Sequence, residues 1–366
     1  MASKTVRYGL SNMMPSEKKL KLGIIGTGAI AQIAHLPAAK KAANVELTSL
    51  CDVASDLGEA MARKYNVPNY YTNIDNILQS DDVDAVLIAV ADQFHADLTI
   101  KALESGKHVL VEKPLASTIE ECQKVVEVAR RTGRKVQIGC MKRYDPGLQF
   151  AKKFIDEKIG VGFGSHFWYC DSVFHMEYVH TYAGNIAYSK LSKRPPKRYE
   201  DNDLALILGH GVHLIDTIRW LKGNISAVNV KSSRSGSNVS FQALLEYSDG
   251  TTGTMQLTCI IKMDWFEGFH IHGENGSVIA RVFFPYMKRV AEVVAYDSQL
   301  REYRLPTACD TDPYERQLEA FAEAVLNDKP VMPDCVDGLL DEVVLYAIYE
   351  SMKKGSRVVV EEVGKC

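Results

Sequence analysis

At 366 residues the chain is long enough for two domains, since single hydrophobic cores stop growing at roughly 250–300 residues. A hydrophobic fraction of 46% and a charged fraction of 24% are ordinary globular values, and a net charge of -3 argues against nucleic acid or an anionic membrane as partner. No run approaches the ~18 consecutive apolar residues of a membrane helix, so no membrane span is expected.

Residues 1–19 are polar, lack the apolar core of a signal peptide, and read as a loose arm or one that docks on a neighbouring subunit. The eight cysteines show no C-x-x-C spacing and read as buried free thiols of a reducing compartment. Cytoplasmic residence is the expectation.

From residue 20 to about 140, short apolar runs alternate with amphipathic stretches, the pattern of a parallel sheet wrapped by helices. Strands are predicted at Leu20–Ile25, Val45–Cys51, Tyr70–Tyr71, Ala85–Ala89, His108–Val111 and Lys135–Gly139. Between the last two, Ser117 with Glu120 makes a capping box, and Ile119, Cys122, Val125, Val126 and Ala129 form one apolar stripe.

The texture changes after Met141, and residues 141–366 are predicted to form a second, α+β domain. A helix at 146–158 leads to a strand at 164–169, then to an irregular stretch, 170–202, rich in rings and ending in the basic run Pro195–Arg198. A helix follows from about Gly211 to Leu221. Strands are predicted at Ala227–Ser232, Phe241–Tyr247, Thr252–Thr258, Phe269–His272 and Ser277–Arg281, with Tyr247–Thr251 as a hairpin turn. Such a succession reads as an open antiparallel sheet covered by helices on one face. Two helices close the chain, one capped by Asp312 and Glu315 and one over about 338–354.

The sharpest local motif is Gly26-Thr27-Gly28-Ala29-Ile30-Ala31, directly after an apolar strand and before a helix. Gly26 permits a tight turn, Gly28 lets backbone approach a pyrophosphate, and Ala31 keeps the helix close to the strand. Asp52, at the end of the second strand, can accept hydrogen bonds from ribose hydroxyls and would repel a 2′-phosphate. No Arg or Lys follows it immediately, so NAD is the expected cofactor rather than NADP.

That turn, together with Ala89–His95, Gly106–Leu115 and Gly211–Asp216, resembles the glucose–fructose oxidoreductase and inositol dehydrogenase family (Gfo/Idh/MocA). The likeness covers about residues 20–360, and Glu112-Lys113-Pro114 is its most specific part. It implies a Rossmann domain, an open-sheet substrate domain, sheet-to-sheet oligomers, and sugars or polyols as substrates. By the resemblance, Lys113 sits between nicotinamide and substrate, Glu112 lies by the nicotinamide ribose and His95 borders the cofactor. Val90 and Arg143 complete the expected cofactor set.

Physically, a lysine beside the carboxyl edge of a sheet can hydrogen-bond a reacting hydroxyl. His213 matches the catalytic histidine of the family, and an imidazole can take the hydroxyl proton. Asp216, one turn further on, could orient it or serve the helix. The sequence departs from the family four residues before His213, where Gly209 replaces the usual aspartate and His210 stands beside it. His210, Asp171 and Asp203 are the candidates to orient the hydroxyl instead, and His210 joins the catalytic set. The 167–199 segment, with Trp168, Tyr169, His175, Tyr178, His180, Tyr182 and Tyr188, suits a sugar or an aromatic aglycone as well as plain packing.

The histidine pairs 175/180, 210/213 and 270/272 lack a carboxylate or cysteine cluster with zinc-like spacing, so no metal site is expected. The leading function is NAD-dependent oxidation of a secondary hydroxyl on a sugar, glycoside or cyclitol by a homo-oligomer. The alternatives are a glycoside hydrolase acting through transient oxidation and elimination, and a non-enzymatic sugar or cofactor sensor.

Overall fold

The computed structural model describes residues 18–192 and 199–361. The arm up to residue 17, the run Pro195–Arg198 and Cys366 lie outside these described residues.

Strands β1 (Leu20–Ile25), β2 (Val45–Cys51), β3 (Asn69–Tyr71), β4 (Ala85–Ile88), β5 (His108–Val111) and β6 (Val136–Ile138) form a parallel sheet in the order β3-β2-β1-β4-β5-β6. Every residue of β4 is buried, because helices cover both faces of the sheet, and this is why the strands are written as continuous apolar runs. The order reverses between β1 and β4, which opens a crevice at their carboxyl ends.

The helix Ile119–Thr132 is capped one residue later than the pattern suggested. Thr118, not Ser117, accepts the Glu121 amide at 3.2 Å, and the Glu121 carboxylate receives the Ser117 amide at 3.0 Å. The cap is therefore Thr118, with Glu121 reaching one residue further back to Ser117, since the chain turns helical only at Ile119.

The second sheet has nine strands. They are β7 (Gly162–Ser172), β8 (Ile225–Ser235), β9 (Asn238–Tyr247), β10 (Thr252–Ile261), β11 (Phe266–Gly273), β12 (Gly276–Val282), β13 (Glu292–Asp297), β14 (Glu302–Arg304) and β15 (Val358–Val359). Their order is β14-β13-β12-β11-β7-β10-β9-β8-β15, antiparallel throughout except that β7 and β10 run parallel. The hairpin turn after β9 is closed by Tyr247 N to Thr251 O at 2.9 Å, with Gly250 at φ 82°. Strands β13 to β15 escaped the sequence pattern because two of them are only two or three residues long.

Alternation along β7 sends Phe167, Tyr169 and Asp171 to the helix-covered face and His166 and Trp168 to the other. On that outer face His166, Trp168, Phe266 and His270 are in ring contact, and Leu244 and Ile279 are exposed.

The helix expected from Gly211 starts at Asn202. It runs as α-helix over Asn202–Leu206, a π turn over Ile207–Gly211, and α-helix over Val212–Lys222. Gly211 inside this run has a packing reason: a Cβ there would sit 3.0 Å from Leu345. This run is long and apolar enough to cross a membrane by length and composition, and 61% of its most apolar window is buried in the protein. The irregular 170–202 stretch contains a further helix, His175–Ala183, in which only Val179 is buried.

The late helices also pack against the Rossmann sheet. Pro313–Leu326 sends Leu318, Phe321 and Ala322 into the Rossmann core. Helix Cys335–Lys354 lends Leu339 and Val343 to that half, and Leu345 and Ile348 to the other. The two halves are thus packed on a shared helix. Among the described cysteines none is disulfide-bonded, and Cys309 is exposed rather than buried, on the loop before Asp312.

Candidate active site

A cleft of about 300 Å³ opens off the crevice between the halves. On the Rossmann side it is bounded by Ile30, Val90, His95, Glu112 and Lys113. Gly26 has φ +93°, and a Cβ there would lie 2.5 Å from the Ala89 carbonyl, so only glycine lets β1 end against β4. At Gly28 a Cβ would meet nothing within 4 Å, leaving the backbone open on that side. The helix that follows presents its first N–H groups at this turn, a setting that suits a pyrophosphate.

Asp52 is fixed at the end of β2. Its Oδ2 accepts from the Thr27 amide and hydroxyl, both at 2.7 Å, and its Oδ1 from the Ala54 amide at 2.8 Å. The acid and the glycine turn are therefore locked in one geometry, which fits a dinucleotide bound through pyrophosphate and ribose.

His95 is buried between two carbonyls, with Nδ1 2.7 Å from Pro114 O and Nε2 3.2 Å from Val90 O. Burial lowers its pKa against the pull of those carbonyls, and a neutral ring has a single N–H to donate, for which the Pro114 carbonyl is the closer acceptor. Glu112 is also buried and pairs with His35 at 2.7 Å. Burial pushes its pKa up, but the His35 hydrogen bond and charge, with Lys113 and His95, outweigh this and leave it lowered. The glutamate is an ionised partner for His35.

On the other side, the π turn and the helix after it carry His210 and His213 into the cleft. Lys113 Nζ reaches across the boundary to the Gly209 carbonyl, at 3.4 Å. The Tyr169 ring lies parallel to that of His213, centroids 5.9 Å apart at 6°, and its hydroxyl is 3.4 Å from His210 Nδ1. Lys142 sits 4.9 Å from the Tyr169 ring centroid and pairs with buried Glu267, which also accepts from Trp265 Nε1 at 3.2 Å.

Burial pulls His210 down to about 4, with Lys113 and His175 acting the same way and Asp171 against it. His213 lies well below its ordinary value, again through burial first, then through the charges of Lys113, Lys142 and His210. Both rings are neutral near pH 7 and able to accept a proton.

Three expected residues stand elsewhere. Arg143 is not brought to the cleft; it is buried with Nη2 2.7 Å from Asp216 Oδ1 and Nη1 3.5 Å from Asp337. Asp216 is consequently spent on Arg143 and does not orient His213. Asp203 is absent from the cleft lining and pairs with Arg234. In return the cleft gains Trp265, Phe284, Tyr286 and Tyr314, for which no local sequence motif exists. Among the described residues, Cys140, Asp216 and Asp341 converge as three ligand-type groups, but their carboxylates are taken by Arg143 and Arg219.

These features define a class, the two-domain protein with a dinucleotide-type Rossmann half that brings polar groups of both halves to one cleft. Comparison narrows the class. Residues 20–140 match the family described as "Oxidoreductase family, NAD-binding Rossmann fold", and residues 197–360 match its "C-terminal alpha/beta domain". The chain belongs to the Gfo/Idh/MocA family, and residues 20–140 are its NAD-binding domain.

Inositol 2-dehydrogenase of Salmonella typhimurium is 36% identical over 139 residues, which is 37% of this chain and only 41% of that relative. Inositol 2-dehydrogenase 2 of Saccharopolyspora erythraea is 29% identical over 361 residues, covering 93% of this chain and 96% of the relative. A solved levoglucosan dehydrogenase, in complex with NADH and levoglucosan, superposes with TM-score 0.78 at 21% identity, over 94% of this chain and 100% of the other. At that identity the likeness speaks for the fold.

Proposed function

We propose that this protein oxidises a secondary hydroxyl of a sugar, glycoside or cyclitol. NAD, when bound, supplies the hydride acceptor. The observation that carries the reading is the meeting of Lys113 from one half with His210 and His213 from the other, in a cleft that Ile30, just after the glycine turn, also lines. Relatives named inositol 2-dehydrogenase, and a structural neighbour holding levoglucosan, support a polyol or sugar as substrate.

In this reading Lys113 donates to the reacting oxygen, and neutral His213 accepts the proton as the carbonyl forms. Tyr169 holds the ring plane of His213, and the buried Lys142–Glu267 pair supports Tyr169 in turn. A cytoplasmic homo-oligomer, assembled through the outer face of the second sheet, completes the proposal.

The test is a panel of sugars, glycosides and inositols offered with NAD, read by absorbance of the reduced nicotinamide. Turnover of at least one polyol is the expected result. Release of aglycone without net NADH would assign the elimination chemistry instead, and binding without turnover would assign a sensor.

A further inference from the structure

Position 209 leaves one wall of the cleft without a side chain. A Cβ built at Gly209 would meet nothing within 4 Å, and Lys113 finds only a backbone carbonyl there. A carboxylate arrives from a different element. Asp171, near the end of β7, is 5% exposed and faces two imidazoles that line the cleft. Its Oδ1 lies 3.0 Å from His175 Nδ1, and its Oδ2 lies 3.9 Å from His210 Nδ1.

The placement follows from local structure. Alternation along β7 puts Asp171 on the same face as Tyr169, under the helix that carries His210 and His213. The turn after Ser172 then starts a helix at His175, which returns that ring over the carboxylate.

A carboxylate only accepts hydrogen bonds, so the His175 nitrogen 3.0 Å away is the protonated one, and in the neutral form of the ring the lone pair is then on Nε2. For His210 the contact is electrostatic rather than a hydrogen bond. A negative charge at 3.9 Å favours the proton on Nδ1, where the Tyr169 hydroxyl, at 3.4 Å, can accept it. His210 is held neutral by burial, so the choice between its two tautomers remains open to this influence.

We infer that Asp171 is a positioning residue that sets His175 and His210 as Nδ1–H tautomers, so that both offer Nε2 as an acceptor to hydroxyls flanking the reacting carbon. The site then selects a substrate bearing a hydroxyl next to the one oxidised. This selection rests on the dehydrogenase function proposed above; the tautomer assignment does not.

The experiment uses full-length protein with ¹⁵N-labelled histidine, its ring signals assigned through His175→Gln and His210→Gln. In the unaltered protein both rings should show protonated Nδ1 and unprotonated Nε2. Asp171→Asn should move His175 toward the Nε2–H form, because an amide can donate to its Nδ1, and His210 the same way, because the charge that favours its Nδ1–H is gone. The same variant should lower kcat/KM for a vicinal polyol by roughly 10–100-fold, the usual loss when a supporting partner of a site group is removed. Affinity for NAD should stay within about twofold of the original, and Asp171→Glu should recover part of the loss.

An analogue lacking the neighbouring hydroxyl should lose much less on the same substitution. Equal losses for polyol and analogue would overturn the selection. A folded Asp171→Asn enzyme within threefold of full activity, or an Nε2–H tautomer at His175 in the unaltered protein, would overturn the positioning role. If Asp171→Asn does not fold, the tautomers of the unaltered protein still decide. If no polyol reduces NAD, the proposed function fails while the tautomer measurement stands apart from it.

Discussion

Gln32 and Ala187 join the two halves of the molecule by a closed pair of hydrogen bonds. The side-chain amide of Gln32 donates to the Ala187 carbonyl and accepts from the Ala187 amide, each at 2.9 Å. Two residues on, the Ser189 hydroxyl and the Lys190 amide donate to Asp56 at 2.6 and 2.7 Å. The segment 185–192 is thereby strapped over the starts of the first two Rossmann helices, beside Asp52. Removing these bonds should speed NAD release. At about 1 kcal/mol per hydrogen bond, Asp56→Ala and Gln32→Ala should each raise the off-rate by roughly 5–30-fold in stopped-flow displacement. Unchanged rates would show that the strap does not cover the cofactor.

The second prediction concerns cofactor choice. Asp52 is anchored by Thr27 and Ala54 at the ribose end of the crevice, so a 2′-phosphate there meets a fixed negative charge. NAD should bind at least tenfold more tightly than NADP, a gap of about 1.4 kcal/mol. Asp52→Ser should narrow the ratio in parallel titrations. Equal affinities in the unaltered protein would contradict the role given to this acid.

Lys113→Ala and His213→Ala should each cut turnover by roughly 10²–10⁴, the range for a positioned acid or base. Both variants should still bind NAD, because the glycine turn and Asp52 are untouched. Their effects should be less than additive, since two groups acting on one proton form a unit. Near-normal turnover in His213→Ala would remove the histidine from the proton path.

Glu342 offers a test of stability against pH. It is 1% exposed, and neither of its carboxylate oxygens has a hydrogen-bond partner among the described residues. Burial first, then the charges of Asp341, Asp92 and Glu121, raises its pKa well above the ordinary 4.5. A raised carboxyl pKa means that the folded state binds the proton more tightly than the unfolded one. Its contribution is complete below about pH 4.5 and is lost as pH rises through the folded value, each unit of displacement being worth about 1.4 kcal/mol. Glu342→Gln lacks this loss. Urea unfolding should show the variant gaining on the unaltered protein between pH 5 and pH 8; a constant difference would mean the glutamate is ionised in the fold.

The outer face of the second sheet should be an interface between copies of the chain. Trp168 has no partner for its buried Nε1 among the described residues, and Leu244 and Ile279, on strands two removed from β7 on either side, stand 47% and 50% exposed. Exposed apolar and aromatic side chains on one sheet face are what an association site offers. Sedimentation at micromolar concentration should give a dimer or larger species, and Ile279→Asp should shift it toward monomer. A monomeric unaltered protein would refute the expectation.

What the sequence determined by itself is the part of the protein whose causes are local. The bounds of β1, β2 and β5 follow from apolar runs buried on both faces, and Gly26 and Asp52 from the steric and charge needs of one turn. Lys113, His210 and His213 were legible through motif and resemblance, and they do line one cleft.

Only the tertiary structure decided who stands with whom. Arg143 and Asp216 lie 73 positions apart and pair in the interior, which takes both away from the chemistry their motifs suggested. Asp171 and His210 come from a strand and a helix that touch only when the sheet is covered, as do Lys142 and Glu267, 125 residues apart. Periodicity reports which face of an element is buried, because burial acts on each residue singly. It does not report what that face meets, because the partner is set by how whole elements pack.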